Sequence, residues 1–192
     1  MAYQFLGEKI DGETMASEKI DNQPFKLRLD LVVVEARRVI VVGWKPETGY
    51  PFFRWLAKEG KDIILVEAFQ HNVESFDEYL GGRHRVAHKM HMDVRDLLSA
   101  VPIEERDCLV WQDGPEHIEM NQAVQLLRQF QESFNSIIIA TPNGPYNQGI
   151  LDGNVWEIHR STWYAETYKE LGFEVADYEA GLIGYWRQNG RI

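Results

Sequence analysis

The chain holds one cysteine among its 192 residues, Cys108. A lone thiol cannot close an intrachain disulfide, so the apolar core has to hold the fold. Cys108 stands in the run Cys108-Leu109-Val110-Trp111 with no obvious activating neighbour in sequence, which predicts a buried, inert thiol in a reducing compartment. Long apolar runs are missing too. No stretch approaches the ~18 consecutive apolar residues of a membrane span. The N-terminus is polar and acidic, unlike the basic-then-apolar start of a signal peptide. The expectation is a cytoplasmic protein with no membrane span. Cations are scarce beside anions: 20 Lys and Arg face 30 Asp and Glu, a formal net charge of −10. A broadly acidic surface repels phosphate backbones and disfavours nonspecific nucleic-acid binding. No Gly-x-x-x-x-Gly-Lys-Ser/Thr loop is present, which excludes a nucleoside triphosphatase of that type.

What is there has the balance of a globular protein, with 44% apolar and 26% charged residues, and the length suits one domain. Residues 1–24 are polar and read as a loose arm or short hairpin; residues 25–192 read as a single α/β domain. Phe25–Glu35 has apolar residues at helical spacing. Strands and helices then alternate. Arg38–Val42 is a continuous apolar strand ending at Gly43. Pro51 suits the first turn of a helix running to about Gly60. Asp62–Val66 is a second strand, ending at Glu67, and Asn72–Leu80 a helix stopped by Gly81-Gly82. A weaker strand covers about Arg85–Met92 and ends at Asp93. Asp107–Gln112 ends at Asp113. Met120, Val124, Leu127, Phe130 and Phe134 mark one helical face. Ser136–Ala140 is a fifth strand, stopped by Thr141-Pro142-Asn143-Gly144. A helix over Trp163–Leu171 stops at Gly172, and Phe173–Tyr178 and Ile183–Arg187 are close enough to pair antiparallel. Continuous apolar strands separated by helices imply a parallel sheet covered on both faces.

In such sheets ligands bind beyond the carboxyl ends of the strands, near the switch in strand order. Here those ends carry Gly43, Glu67, Asp93 and Asp113. A carboxylate at Glu67 suits two vicinal ribose hydroxyls; Asp93, with Val94 beside it, suits an adenine amino group; Asp113 suits a methionine-like tail and its sulfonium. Acids favour a cationic cofactor, S-adenosylmethionine, and oppose the pyrophosphate of NAD. No Gly-x-Gly-x-x-Gly follows the first strand, which also counts against NAD. The plainer alternative is that each acid caps the helix after it.

Several segments then resemble class I (Rossmann-like) methyltransferases. Asp113-Gly114-Pro115-Glu116-His117-Ile118-Glu119 is similar to their D-x-x-E-H-hydrophobic-E motif after the fourth strand. Ile138-Ile139-Ala140-Thr141-Pro142-Asn143-Gly144 is similar to their fifth strand with its TPNG exit. Asn154–Trp163, followed by Leu171-Gly172-Phe173-Glu174-Val175, resembles the NPYE-H-S-W … GF-V segment of a subset, and Met92–Leu97 resembles GD-x-x-DL. The likeness runs from about Phe25 to the end. It implies a seven-stranded, mostly parallel sheet closed by an antiparallel hairpin, S-adenosylmethionine as cofactor, and transfer of its methyl group to a small-molecule or glycan-type hydroxyl, amine or acid.

The chain departs from the family in the first loop. Val41 stands where the family has an acid, and Gly43-Trp44-Lys45-Pro46-Glu47-Thr48-Gly49 replaces a tight G-x-G-x-G. Gly43, Trp44, Glu47 and Gly49 are the cofactor-contacting candidates there, Glu47 standing in for the missing acid. The altered loop supports a rival reading, a non-catalytic methyltransferase-like scaffold. His117 matches the EH histidine and, with His159 in the long loop before the last helix, is a candidate base; each is also readable as structural. Metal ligands are not expected, because a strand through His88 and His91 sends them to opposite faces. Asn/Asp-Pro-Pro-Tyr and Pro-Cys are absent, against nucleobase amino methylation and the covalent cytosine route. The oligomeric state is left open.

Overall fold

The computed structural model describes residues 35–43, 56, 59–80, 86–178 and 181–188. The N-terminal arm, the helix expected over Phe25–Glu35 apart from Glu35, most of the helix after Pro51, the Gly81-Gly82 stop, and Trp44, Glu47 and Gly49 lie outside the described residues.

The apolar runs form strands. β1 (Arg38–Val42), β2 (Asp62–Glu67), β3 (Val86–His91), β4 (Asp107–Gln112) and β5 (Ser136–Pro142) are mutually parallel, and β6 (Glu174–Tyr178) and β7 (Gly181–Arg187) run antiparallel as a hairpin. The sheet order is β3-β2-β1-β4-β5-β7-β6, so β7 inserts between β5 and β6. The helices are α1 (Gln70–Leu80), α2 (Leu97–Ala100), α3 (Met120–Ser133) and α4 (Ala165–Glu170), with tight helical turns at Val94–Asp96, Pro115–His117 and Val155–Glu157. Among the described residues, no helix is long and apolar enough to cross a membrane.

Because strand side chains alternate between faces, each apolar run feeds two cores. Ile40, Val42, Ile64, Val66, Leu109 and Trp111 point to one face, against Leu97 of α2 and Leu127 and Phe130 of α3. Val39, Val41, Ile63, Leu65, Cys108 and Val110 point to the other, with Leu56 and Phe76. Val41, at the family's acid position, is fully buried in that second core.

Two boundaries and one buried face differ from expectation in ways the packing explains. β5 continues through Thr141-Pro142, because β7 pairs with it to the end (Thr141 with Leu182, Pro142 with Gly181). β4 pairs with β5 only as far as Ala140, so the missing proline N–H breaks no β4 ladder. α4 starts at Ala165, because Trp163 is held in a bridge to Gly144, whose N–H donates to the Trp163 carbonyl at 2.8 Å. It ends as expected at Gly172, in the left-handed region with φ 81°. On α3 the fully buried stripe is Ala123, Leu126, Leu127 and Phe130; Met120 and Val124 pack only at its edge.

The base of the sheet is tied by a buried ion pair. Asp107 is 1% exposed and accepts from Arg38 Nε at 3.0 Å, from Arg38 Nη2, and from the Glu104 amide at 2.7 Å. This hydrogen bonding to Asp107, against some burial, raises the Arg38 pKa above its usual value.

Candidate functional site

The strand order reverses direction at β1 and β4, and their carboxyl ends open a crevice there. A cavity of about 430 Å³ lies in it, within the range of small-molecule sites. Its wall is drawn from successive strand ends: Val42-Gly43 after β1, Val66-Glu67-Ala68 after β2, Met92 to Arg95 after β3, and Trp111 to Gly114 after β4. Gly43, Glu67, Asp93, Val94 and Asp113, picked from sequence as the cofactor candidates, therefore meet in one wall. Trp44, Glu47 and Gly49 lie outside the described residues.

Each is set by local chemistry. Gly43 has φ 86°, and its N–H donates to the Val66 carbonyl at 2.9 Å. A Cβ there would approach the Gln112 carbonyl to 3.1 Å, so the conformation and the contact both favour glycine. Glu67 is buried to 7% exposure, and its Oε1 accepts the Phe69 amide at 2.7 Å, which pins the carboxylate at the rim of β2. Asp93 caps the Val94–Asp96 turn through the Arg95 amide at 2.9 Å and also pairs with the Arg95 guanidinium. Burial pushes its pKa up, but the bonds from Arg95 outweigh that and hold it below the usual carboxyl value. The capping reading thus applies to Asp93, which lines the cavity as well. Asp113 bends the chain out of β4 with φ 45°, a conformation uncommon outside glycine. Next to it, a Cβ on Gly114 would overlap the Trp111 indole.

Sequence reasoning left Gln112 unmarked. Its Nε2 is buried in this wall without a hydrogen-bond partner, a donor that a ligand oxygen would satisfy. The wall is also acidic, because Glu67, Asp93, Asp113, Glu119 and Glu157 outnumber Arg95 and Arg160.

The two candidate bases come together at one side of the cavity. The segment after Ile158 docks on the Pro115–His117 turn: the amides of Arg160 and Ser161 both donate to the Glu116 carbonyl, at 2.7 and 3.0 Å, and Ser161 Oγ donates to the Pro115 carbonyl at 3.1 Å. This sets the His117 and His159 rings edge to face, 4.8 Å apart. Each ring directs Nδ1 at a backbone carbonyl, His159 to Tyr146 at 2.7 Å and His117 to Ile158 at 3.4 Å. A carbonyl only accepts, so each neutral ring carries its proton on Nδ1, and Nε2 is the nitrogen for a proton or a ligand. With buried Glu116, one donor atom from each residue falls within 4.8 Å of the others. Ligand atoms around a tetrahedral ion with bonds of ~2.1 Å lie about 3.4 Å apart, so the three atoms would have to draw closer to share one. The sequence placed no metal ligands here, because 42 residues separate the two histidines and only the docked loop brings them together. Of the other histidines weighed as ligands, His84 lies outside the described residues, and His91 Nε2 lies 3.1 Å from the Ala68 carbonyl.

Comparison with solved structures agrees with this architecture. HEN1, a small RNA methyltransferase, matches with TM-score 0.62 at 12% identity over 94% of this chain. This chain spans 27% of HEN1's length. A SAM dependent methyltransferase from Archaeoglobus fulgidus matches with TM-score 0.54 at 20% identity, over 78% of this chain and 67% of that one. The N-terminal domain of EvdMO1, solved with SAH bound, matches with TM-score 0.60 at 16% identity, over 85% and 79%. The fold is that of class I methyltransferases. The identities carry the likeness no further than the fold. No family model matches the sequence, and no curated protein does. The methyltransferase fold accounts for the β7 insertion and for a cavity at the β1/β4 switch.

Proposed function

We propose that this chain is an S-adenosylmethionine-dependent methyltransferase acting on a small-molecule or saccharide acceptor. The observation that carries the reading is the cavity at the strand switch, whose acidic wall and buried Gln112 donor suit a cofactor with a positive centre and several acceptor oxygens. Glu67 would hold the ribose hydroxyls, Asp93 and Val94 the adenine edge, and Gly43, Asp113 and Gln112 the amino-acid end. Trp44, Glu47 and Gly49, which lie outside the described residues, are proposed as further cofactor contacts, Glu47 to the amino group. When bound, the cofactor supplies a methyl group on a sulfonium, a good leaving group, so the protein's task is mainly proximity and alignment.

His159 and His117 would take the acceptor's proton at Nε2. Alternatively, Glu116 and the two histidines would hold a divalent transition metal, and their Nε2 atoms would then be ligands and not bases. An ion held there would polarise an acceptor oxygen and lower its pKa. HEN1 is described as a small RNA methyltransferase, and EvdMO1 was also solved in the presence of SAH and D-fucose, so the neighbours do not agree on one acceptor. The charge of −10 favours the small-molecule or saccharide side.

The test is calorimetric titration with S-adenosylhomocysteine, with NAD as control. Micromolar binding of the first alone supports the reading. Silence at millimolar ligand would leave the methyltransferase-like scaffold, with the altered Gly43–Gly49 loop as its cause.

A further inference from the structure

The loop between β5 and α4 is polar inside and apolar outside. Among the described residues, the large apolar side chains left exposed are Tyr146, Ile150, Leu151, Val155, Trp156 and Tyr164. All fall in this one loop, whereas exposed apolar residues are ordinarily scattered singly. The loop is held by its own framework. Gln148 Nε2 donates to the Glu157 carbonyl at 2.9 Å and to its carboxylate at 3.0 Å, and the His159 amide donates to the Gln148 carbonyl at 3.0 Å. Asn154 caps the Val155–Glu157 turn at the Trp156 amide, 3.0 Å away. Buried Asn154 and Glu157 thus turn the apolar groups outward.

This surface is continuous with the candidate site. Val155 and Trp156 also line the cavity. The Tyr146 ring lies 5.4 Å from the His159 ring. Tyr164 reaches to 3.6 Å from where a Cβ on Gly144 would stand, two residues from Tyr146. Rings therefore lead from open solvent to the histidine pair.

Charge narrows what could lie on it. Residues 143–158 contain no lysine or arginine, and Asp152 and Glu157 are their only charged groups. Arg160 is the one Lys or Arg of the whole loop, set against Asp152 and Glu157, so a polyanion would meet little counter-charge there. Aromatic faces carry negative quadrupole charge and suit the C–H face of a sugar ring, while exposed Asn147 offers an amide to its hydroxyl rim.

We propose that this loop is the acceptor platform, and that the acceptor is an uncharged carbohydrate whose ring lies on Trp156 and Tyr146 with a hydroxyl directed at Glu116, His117 and His159. The assignment rests on the methyltransferase reading above and adds the acceptor's chemical class and the surface that selects it.

The test is saturation-transfer NMR on the full chain with S-adenosylhomocysteine present, using methyl glycosides of neutral hexoses as probes and octauridylate as the contrary probe. Glycosides should bind at millimolar concentration with transfer to their ring C–H protons. Trp156→Ala and Tyr146→Ala should each weaken them about tenfold, while Trp156→Phe, which keeps a ring, should retain them; thermal melts check that each variant folds. Binding of S-adenosylhomocysteine without any glycoside overturns the platform and leaves the methyltransferase reading standing. Failure of both ligands overturns the two together. Glycoside binding indifferent to the ring variants, octauridylate binding in its place, or a concentration-dependent dimer that buries Trp156 would each refute the assignment.

Discussion

Replacing Glu67 tests the cofactor placement with least disturbance to the fold. Its Oε1 already accepts the Phe69 amide at 2.7 Å, so only part of the carboxylate's acceptor capacity is available to a ribose. The loss on substitution therefore counts one charge-assisted hydrogen bond, about 1.5–3 kcal/mol, or about 10- to 150-fold in Kd. Glu67→Gln keeps an oxygen for the Phe69 amide and should melt near the parent temperature while binding S-adenosylhomocysteine at least about tenfold more weakly. Glu67→Ala should lose the same affinity and some stability as well, because the Phe69 amide also loses its acceptor. Calorimetry gives the affinities and differential scanning fluorimetry the melting temperatures. An unchanged Kd in folded Glu67→Gln would show that the ribose does not lie at the end of β2, and the residue assignments around the cavity would have to be redrawn.

Arg38→Met should cost about 3–5 kcal/mol by stranding the buried Asp107 carboxylate, a fall of about 10 °C in melting temperature at this chain length; Arg38→Met/Asp107→Leu should recover part of it, and an equally unstable double variant would argue against the stranded charge. Gly114→Ala should displace the buried Trp111 indole, read as altered tryptophan emission and weakened S-adenosylhomocysteine binding; unaltered emission would contradict the packing. Burial pushes the Cys108 thiol up to about 12, so iodoacetamide should label it only on unfolding. Because the folded pKa is raised, folding stability should fall as pH rises above the ordinary thiol value near 8.5, and Cys108→Ala should remove that slope. Mn²⁺ or Zn²⁺ titrated into the protein should bind with 1:1 stoichiometry, and His159→Ala should weaken binding about tenfold or more; equal affinity in the variant would place the ion elsewhere.

Much of the scaffold was legible along the chain. Runs such as Arg38–Val42, which is also β-branched, and Asp107–Gln112 are too short for buried helices, and each is followed by a residue that can break a strand or bear a ligand. The period-two alternation also explains why both faces of the sheet are apolar. The end of β5 is not legible locally, because Thr141-Pro142 carries turn chemistry and only the pairing with β7 overrides it. α3 was legible in type and length, but its buried stripe is rotated toward Ala123 and Leu126, as the neighbouring elements require.

By itself the sequence determined the alternation of strands and helices, the strand-end positions of Gly43, Glu67, Asp93 and Asp113, and the burial of Cys108. Local propensity and hydrophobic period act over a few residues and are written in the chain. The tertiary structure alone decided that β7 lies between β5 and β6, that Gln112 turns a buried donor into the cavity wall, and that Glu116, His117 and His159 share one small volume. Those facts depend on contacts between segments far apart in sequence, and the last rests on two amides of the Arg160–Ser161 segment finding the Glu116 carbonyl, a pairing that no local pattern encodes.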